Sequence, residues 1–427
     1  MMRLLPFISM QCWMRSFYMI ARKLVIILMI LLAAGCGKAK AKKDSVSIKK
    51  LENGHYQLLV NKKPYVIKGV CYSPVPIGRS PLFNFMCDPA KPWIVDGKLM
   101  QDMGINTVRL YMTGDELEFC KIMIEELYTL YGIRTILGHD LGFWGYPPAN
   151  YADPEFREEI TKNMMEVVAY FKDTPGLLMW NLGNENNYSF DGRLNPWSSD
   201  EIDAMQNFND KREARARIYY SFVNDLAKKI KKIDKAHPVG LGNGETVGLK
   251  SAAKYCPDVD FIGAIVYRGK VFGSFFKEIK RMFDKPVILT EFGCDAYNME
   301  KQEEDQNNQA KFLKSQWLDM QKHMVNGEGE GNCLGGAIFE WNDEWWKTSD
   351  SDRDSWNVHD TVAGWGMGSY DFDAKAGKNM NEEWFGIVAI SPELENGINK
   401  RTPRKAYYVL RQLWNEAYKK EESKSAK

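Results

Sequence analysis

The stretch LLMWNLGNENNYSF, Leu177 to Phe190, opens as an apolar run and then breaks into amides, a glycine and a single carboxylate, Glu185. A strand that carries its last side chains out of a core into a pocket reads this way. PVILTEFG, Pro286 to Gly293, has the same form and delivers Glu291. Further strand-like runs lie at Tyr65 to Tyr72, Thr107 to Tyr111, Arg134 to His139, Pro238 to Gly242, Phe261 to Tyr267 and Gly335 to Trp341, so that eight recur along the chain. Helical patterns fall between most of them. DELEFCKIMIEELYTLYG places Leu117, Cys120, Ile124 and Leu127 on one face, and another begins at Asp153-Pro154 and stops at Pro175. Short, almost wholly apolar strands alternating with helices make a parallel sheet covered on both faces. Eight such units predict a (β/α)8 barrel, a TIM barrel of the α/β class. The competing fold, a doubly wound open sheet for nucleotides, lacks its signatures: no GxGxxG follows the first strand and no GxxxxGK[ST] occurs.

Around this barrel, expected over residues 67–420, the sequence adds a short N-terminal β-hairpin (46–66) with turn-formers at Asn53, Gly54, Asn61 and Lys62, and a polar tail at 421–427. Two connections are long, Asp191 to Lys211 after the fourth strand and Thr348 to Asn381 after the eighth. Both follow strand C-termini, the face on which barrel loops build a site.

The chain of 427 residues is 44% hydrophobic and 26% charged, an ordinary globular balance, and its formal net charge of +1 gives no field for a polyanion. No nucleic-acid partner is expected. At the amino terminus Arg22 and Lys23 precede an apolar run, Leu24 to Ala34, that is too short to span a bilayer and fits the h-region of a secretory signal. Its ending, LAAGC, resembles the lipobox of bacterial lipoproteins, with Ala33 where that motif prefers Leu. The resemblance implies a signal peptide over 1–36, lipidation at Cys36, and a Lys-rich tether at 37–45 that holds the protein to a membrane through its lipid anchor, in the periplasm or at the cell surface. A plain signal peptide, or a short anchor, with an incidental cysteine is the alternative. Six cysteines remain after Cys12 and Cys36, with no spacing that prescribes a disulfide framework. Five histidines without HxxxH or HExxH, and the lack of CxxC, give no support for a metal site, and no cofactor is implied.

In a closed barrel the fourth and seventh strands face each other across the mouth. Glu185 and Glu291 therefore enter one pocket from separate rigid strands, as cleavage of a glycosidic bond requires. WNLGNE, TEFG and the aromatic within GGAIFEWND together resemble the clan A glycoside hydrolases, retaining enzymes on (β/α)8 barrels. YQLLVNKKPYVIKGVCYSP, GINTVRLYM and RTPRKAYYVL are most similar to the catalytic barrel of glycoside hydrolase family 2, over about residues 55 to 415. The resemblance implies Glu185 as general acid/base, Glu291 as nucleophile, and Asn184 as a contact to the sugar 2-hydroxyl. It places Arg109 and Tyr267 beside Glu291 and Trp341 as the floor beneath the reacting sugar. His139, ending the third strand, is a candidate substrate contact or simply a histidine satisfying backbone groups at a loop start. Glu340 and Asp343 flank Trp341, and strand alternation turns Glu340 to the other face, into a structural role.

The chain departs from the pattern at Ile265, where the clan often has His or Asn, and in having only a hairpin ahead of the barrel where family 2 carries β-sandwich domains. Trp144, Trp197, Trp345, Trp346 and Trp365 lie after strand ends and suggest platforms for an oligo- or polysaccharide. The carbohydrate partner that the resemblance implies is a β-linked glycan. Two alternatives stand beside hydrolysis: transglycosylation through the same glycosyl-enzyme, and a non-catalytic glycan-binding lipoprotein, for which a retained pair of carboxylates has no use.

Overall fold

A computed structural model describes residues 43–145, 147–347, 353–362 and 380–425. Cys36 and the signal segment, Trp365, and most of the long connection after the eighth strand lie outside the described residues.

Eight parallel strands close into a barrel. They are β1 (Ile67–Cys71), β2 (Thr107–Leu110), β3 (Arg134–His139), β4 (Leu177–Leu182), β5 (Val239–Gly244), β6 (Phe261–Ile265), β7 (Val287–Gly293) and β8 (Cys333–Phe339). Neighbours pair in chain order, Gly69 opposite Thr107 and Thr107 opposite Arg134, and β8 closes the ring between β7 and β1, with Ala337 opposite Gly69. The helices fill the intervals. Leu117–Tyr131 buries Cys120, Met123, Ile124 and Leu127, spaced one helical turn apart, and ends on Gly132 in the left-handed conformation. Pro154–Phe171 starts from Asp153, whose side chain accepts the Glu155 N–H, with Pro154 at its first position.

The N-terminal sheet, Val46–Lys50 against Tyr56–Val60, plugs the bottom of the barrel. Val46, Tyr56, Leu58 and Val60 form one apolar cluster with Ile67, Ile136, Met179, Phe261, Ile288 and Leu334 from the strands. The opposite end carries the polar residues that follow the strands, Asn184 and Glu185 after β4 among them.

Two features were not legible beforehand. A second hairpin, Val388–Glu395 with Ile398–Pro403, follows β8 and is tied to its end by the Val388 N–H donating to the Trp341 carbonyl. Helix Lys405–Ser425 then completes the outer ring against Gln306–Lys322, with Trp414 edge-on to Trp317, and runs through most of the segment read as a polar tail. No disulfide joins the six cysteines from Cys71 to Cys333, and of these Cys87 alone is exposed. Among the described residues no helix is long and apolar enough to cross a membrane, and no cluster of side chains has the make-up of a metal site.

Candidate active site

The turn that ends β4 explains the amide-rich sequence after it. Gly183 takes φ 86° against the Tyr219 hydroxyl, and a Cβ there would clash with that oxygen, so only glycine fits. Asn186 then braces the loop: its Oδ1 accepts the Asn184 N–H at 2.6 Å, and its Nδ2 donates to the Asp140 carbonyl at 2.9 Å and to the Tyr151 hydroxyl at 2.7 Å. Between these anchors Glu185 is held at φ 62°, a left-handed conformation that a non-glycine residue adopts only when its surroundings impose it.

Glu291, near the end of β7, is met by three donors. Arg109 Nη1 donates to Oε1 at 2.7 Å, the Tyr111 hydroxyl donates to the same oxygen at 2.7 Å, and the Tyr267 hydroxyl donates to Oε2 at 2.9 Å. Arg109 is only 1% exposed and is held through both terminal nitrogens: Nη1 also reaches the Thr290 carbonyl, Nη2 donates to Asn184 Oδ1 at 2.5 Å, and the guanidinium lies 4.2 Å from the centre of the Tyr111 ring. Burial first, then the charge of Glu291, pushes the Tyr267 hydroxyl well above the ordinary phenol range, so it stays a donor.

Glu185 has a different environment. Burial, then the charges of Glu291 and Glu382, push its carboxyl up to about 8, against the smaller opposing pull of Lys347 and Arg109. A carboxyl held neutral beside one that collects donors is the asymmetry that separates an acid from a nucleophile.

The structure thus brings Glu185, Glu291, Arg109, Asn184 and Tyr267 together at one barrel mouth. Tyr111 joins them unforeseen. Its signal was parity: it lies two residues after Arg109, on the same side of an extended chain.

Two expected residues do not join. Trp341 is fully buried in the large apolar cluster that lies between barrel and helices, so it cannot be a floor open to sugar. β8 ends at Phe339, and the alternation that placed Glu340 and Trp341 does not extend past it. Phe339 is the aromatic that packs at the barrel's interior, edge-on to Tyr267 with ring centres 6.4 Å apart. His139 turns outward: Nδ1 accepts the Leu141 N–H at 3.0 Å, which leaves Nε2 to donate to Asn163 Oδ1 at 2.9 Å on the helix outside. It satisfies its own loop.

Asp343 is held by Arg404, 1% exposed, through bonds of 2.5 and 2.8 Å to both carboxylate oxygens. Glu340 is buried beside Glu344, and Lys347 lies 3.1 Å from Glu344 and 3.0 Å from Glu382 with its ammonium above the Phe339 ring. Ile265 is buried at the end of β6. Of the tryptophans, Trp144 is 55% exposed, Trp197 is a core residue bonded to Ser189, and Trp345 stacks on His359.

The sequence of the TIM barrel domain of glycosyl hydrolases family 2 matches residues 50–352. The chain belongs to that family. A 1,3-β-glucanosyltransferase, GAS4 of Saccharomyces cerevisiae, is 26% identical over 279 residues, 59% of this chain and 53% of the yeast protein. Among solved structures, the β-D-glucuronidase of Dictyoglomus thermophilum superimposes with a TM-score of 0.55 at 18% identity, covering 87% of this chain and 53% of its own. A family 2 β-galacturonidase of Eisenbergiella tayi, solved with galacturonate bound, gives 0.52 at 16% identity over 87% and 54%. At such identities the two structures speak for the barrel alone. The chain spans about half the length of each of these relatives.

Proposed function

We propose that the protein is a retaining β-glycoside hydrolase acting on a β-linked oligo- or polysaccharide by double displacement. The observation that carries this reading is the contrast between the two carboxyl groups, Glu291 gripped by Arg109, Tyr111 and Tyr267, and Glu185 pushed up to about 8. Glu291 attacks the anomeric carbon and the bond to the leaving oxygen breaks as Glu185 gives that oxygen its proton. Glu185, now a carboxylate, takes a proton from water, whose oxygen forms the new bond to the anomeric carbon and releases Glu291. Asn184, its Oδ1 fixed by Arg109, is left with its amide protons to offer the sugar 2-hydroxyl. Exposed Trp144 suits an extended glycan. We further propose that residues 1–36 are a signal peptide and that lipidated Cys36 anchors the enzyme outside the cytoplasm through the 37–45 tether, ahead of the hairpin at 46–66 and the barrel.

Azide separates the roles. In Glu185→Ala an aryl glycoside with a good leaving group still glycosylates Glu291, and azide then gives the β-glycosyl azide. In Glu291→Ala azide occupies the vacated space and gives the α-anomer by one inversion. Reversed anomers would exchange the two assignments.

A second reading, transglycosylation, is favoured by the glucanosyltransferase relative. The glycosyl-enzyme is the same, captured by a sugar hydroxyl in place of water, and chain-lengthened products at high acceptor concentration would distinguish it.

A further inference from the structure

Three cations that follow strand ends at this mouth are each already paired with a carboxylate. Arg109 from β2 is paired with Glu291 at 2.7 Å. Arg268, which follows Tyr267 beyond β6, is gripped by both oxygens of Glu245 at 2.6 to 3.1 Å, with Glu278 at 3.8 Å. Lys347, beyond β8, lies between Glu344 and Glu382. Glu185 and Glu340 add two more carboxyl groups at this end of the barrel, both pushed toward the neutral form by burial.

An anion entering a desolvated pocket needs a counter-charge or several donors, and an uncompensated one is strongly disfavoured. A uronic acid places a carboxylate on the reacting ring itself. To be accepted here it would have to displace Glu245, Glu344 or Glu382 from a resident pair, or stand next to them as one more like charge. A neutral ring asks for hydroxyl-to-carboxylate hydrogen bonds, which paired glutamates still provide through their remaining lone pairs.

We infer that the sugar bound at the reacting position is uncharged, in contrast to the hexuronic acids named for the two solved relatives. The inference rests on the glycosidase reading but concerns the ring that the mouth accepts, so it can be tested apart from turnover.

The first test compares 4-nitrophenyl β-D-glucoside, β-D-galactoside, β-D-mannoside and β-D-xyloside with the β-D-glucuronide, the β-D-galacturonide and the β-D-glucosaminide. At least one neutral glycoside should be cleaved with kcat/KM roughly a hundredfold above that of every charged one. Equal or preferred cleavage of a uronide, or of the glucosaminide, overturns the inference. If none is cleaved, the hydrolytic reading is what has failed, and calorimetric titration with neutral and uronic oligosaccharides of equal length decides the ring chemistry: neutral binding alone sustains it, whereas uronic binding, or no binding of either, overturns it. A second arm frees the cations. Glu245→Gln and Glu382→Gln should each improve uronide binding, read as turnover or as inhibition of neutral turnover, by about tenfold relative to the neutral sugar. An unchanged ratio in both variants removes the electrostatic basis of the inference.

Discussion

If Glu185 is a neutral acid held in a desolvated mouth, its carboxyl should weaken the fold at alkaline pH, and replacing it should make the protein more stable. Folding raises this group from its ordinary 4.5 to about 8. The native chain therefore retains a proton that the unfolded chain releases between those values, and native stability falls as pH rises through the window. Relative to a neutral side chain the cost is absent below pH 4.5, grows through the interval and is complete above pH 8. At about 1.4 kcal/mol per pH unit the full interval corresponds to about 5 kcal/mol. Glu185 is partly open to the mouth, and water there screens its charge, so about 2–3 kcal/mol is the better expectation.

Glu185→Gln keeps the shape and removes the titration. Its midpoint of thermal unfolding should exceed that of the wild type by about 3–4 °C at pH 9, given the unfolding entropy of a domain this large, and by less than about 1 °C at pH 5. Taking the difference between the two proteins cancels Glu340, Glu344 and Glu383, whose carboxyls burial also pushes up. Circular dichroism melts across that pH range provide the measurement. A variant that melts with or below the wild type at pH 9, or an advantage that does not shrink toward pH 5, would refute the claim that Glu185 is a destabilised acid.

Tyr111→Phe and Tyr267→Phe each delete one donor to Glu291 while leaving the ring, so each should lower kcat about tenfold with KM little changed; full kcat in either would show that its hydroxyl is idle in the reaction. His139→Ala should change kcat/KM by less than about threefold, because both ring nitrogens serve the loop and the outer helix; a loss beyond a hundredfold would return His139 to the substrate. Cys36→Ser should release the protein from membrane fractions or block its maturation, and equal membrane retention with normal processing would count against lipidation.

The barrel was legible because its signals are local. A buried parallel strand is a short apolar run, a helix end is a capping residue or a glycine, and both can be recognised without knowing what lies opposite. Glu185 and Glu291 were legible for the same reason: a carboxylate closing an apolar run has nowhere to go but the rim. The second hairpin, Val388–Glu395 with Ile398–Pro403, lacked that clarity, since half of its first strand is exposed and carries charge. Trp341 was misplaced because the resemblance was carried onto the second aromatic of the run, two residues beyond the end of β8, when the aromatic that closes the strand is Phe339.

The remaining difficulty lies in the roles, since two glutamates at two strand ends are equivalent as sequence. What distinguishes them is delivered from elsewhere: Arg109 from β2, Tyr111 just past its end and Tyr267 from beyond β6 all converge on Glu291, while Glu185 faces Glu291 and the charge of Glu382, a residue nearly two hundred positions away in the chain. None of these partners lies within a helical turn or a hairpin of the group it acts on, so no window of sequence contains both members of any pair. The resemblance to clan A supplied the roles by analogy. The physical ground for them is the count of donors on one carboxylate and of like charges around the other, and it exists only once the barrel has closed.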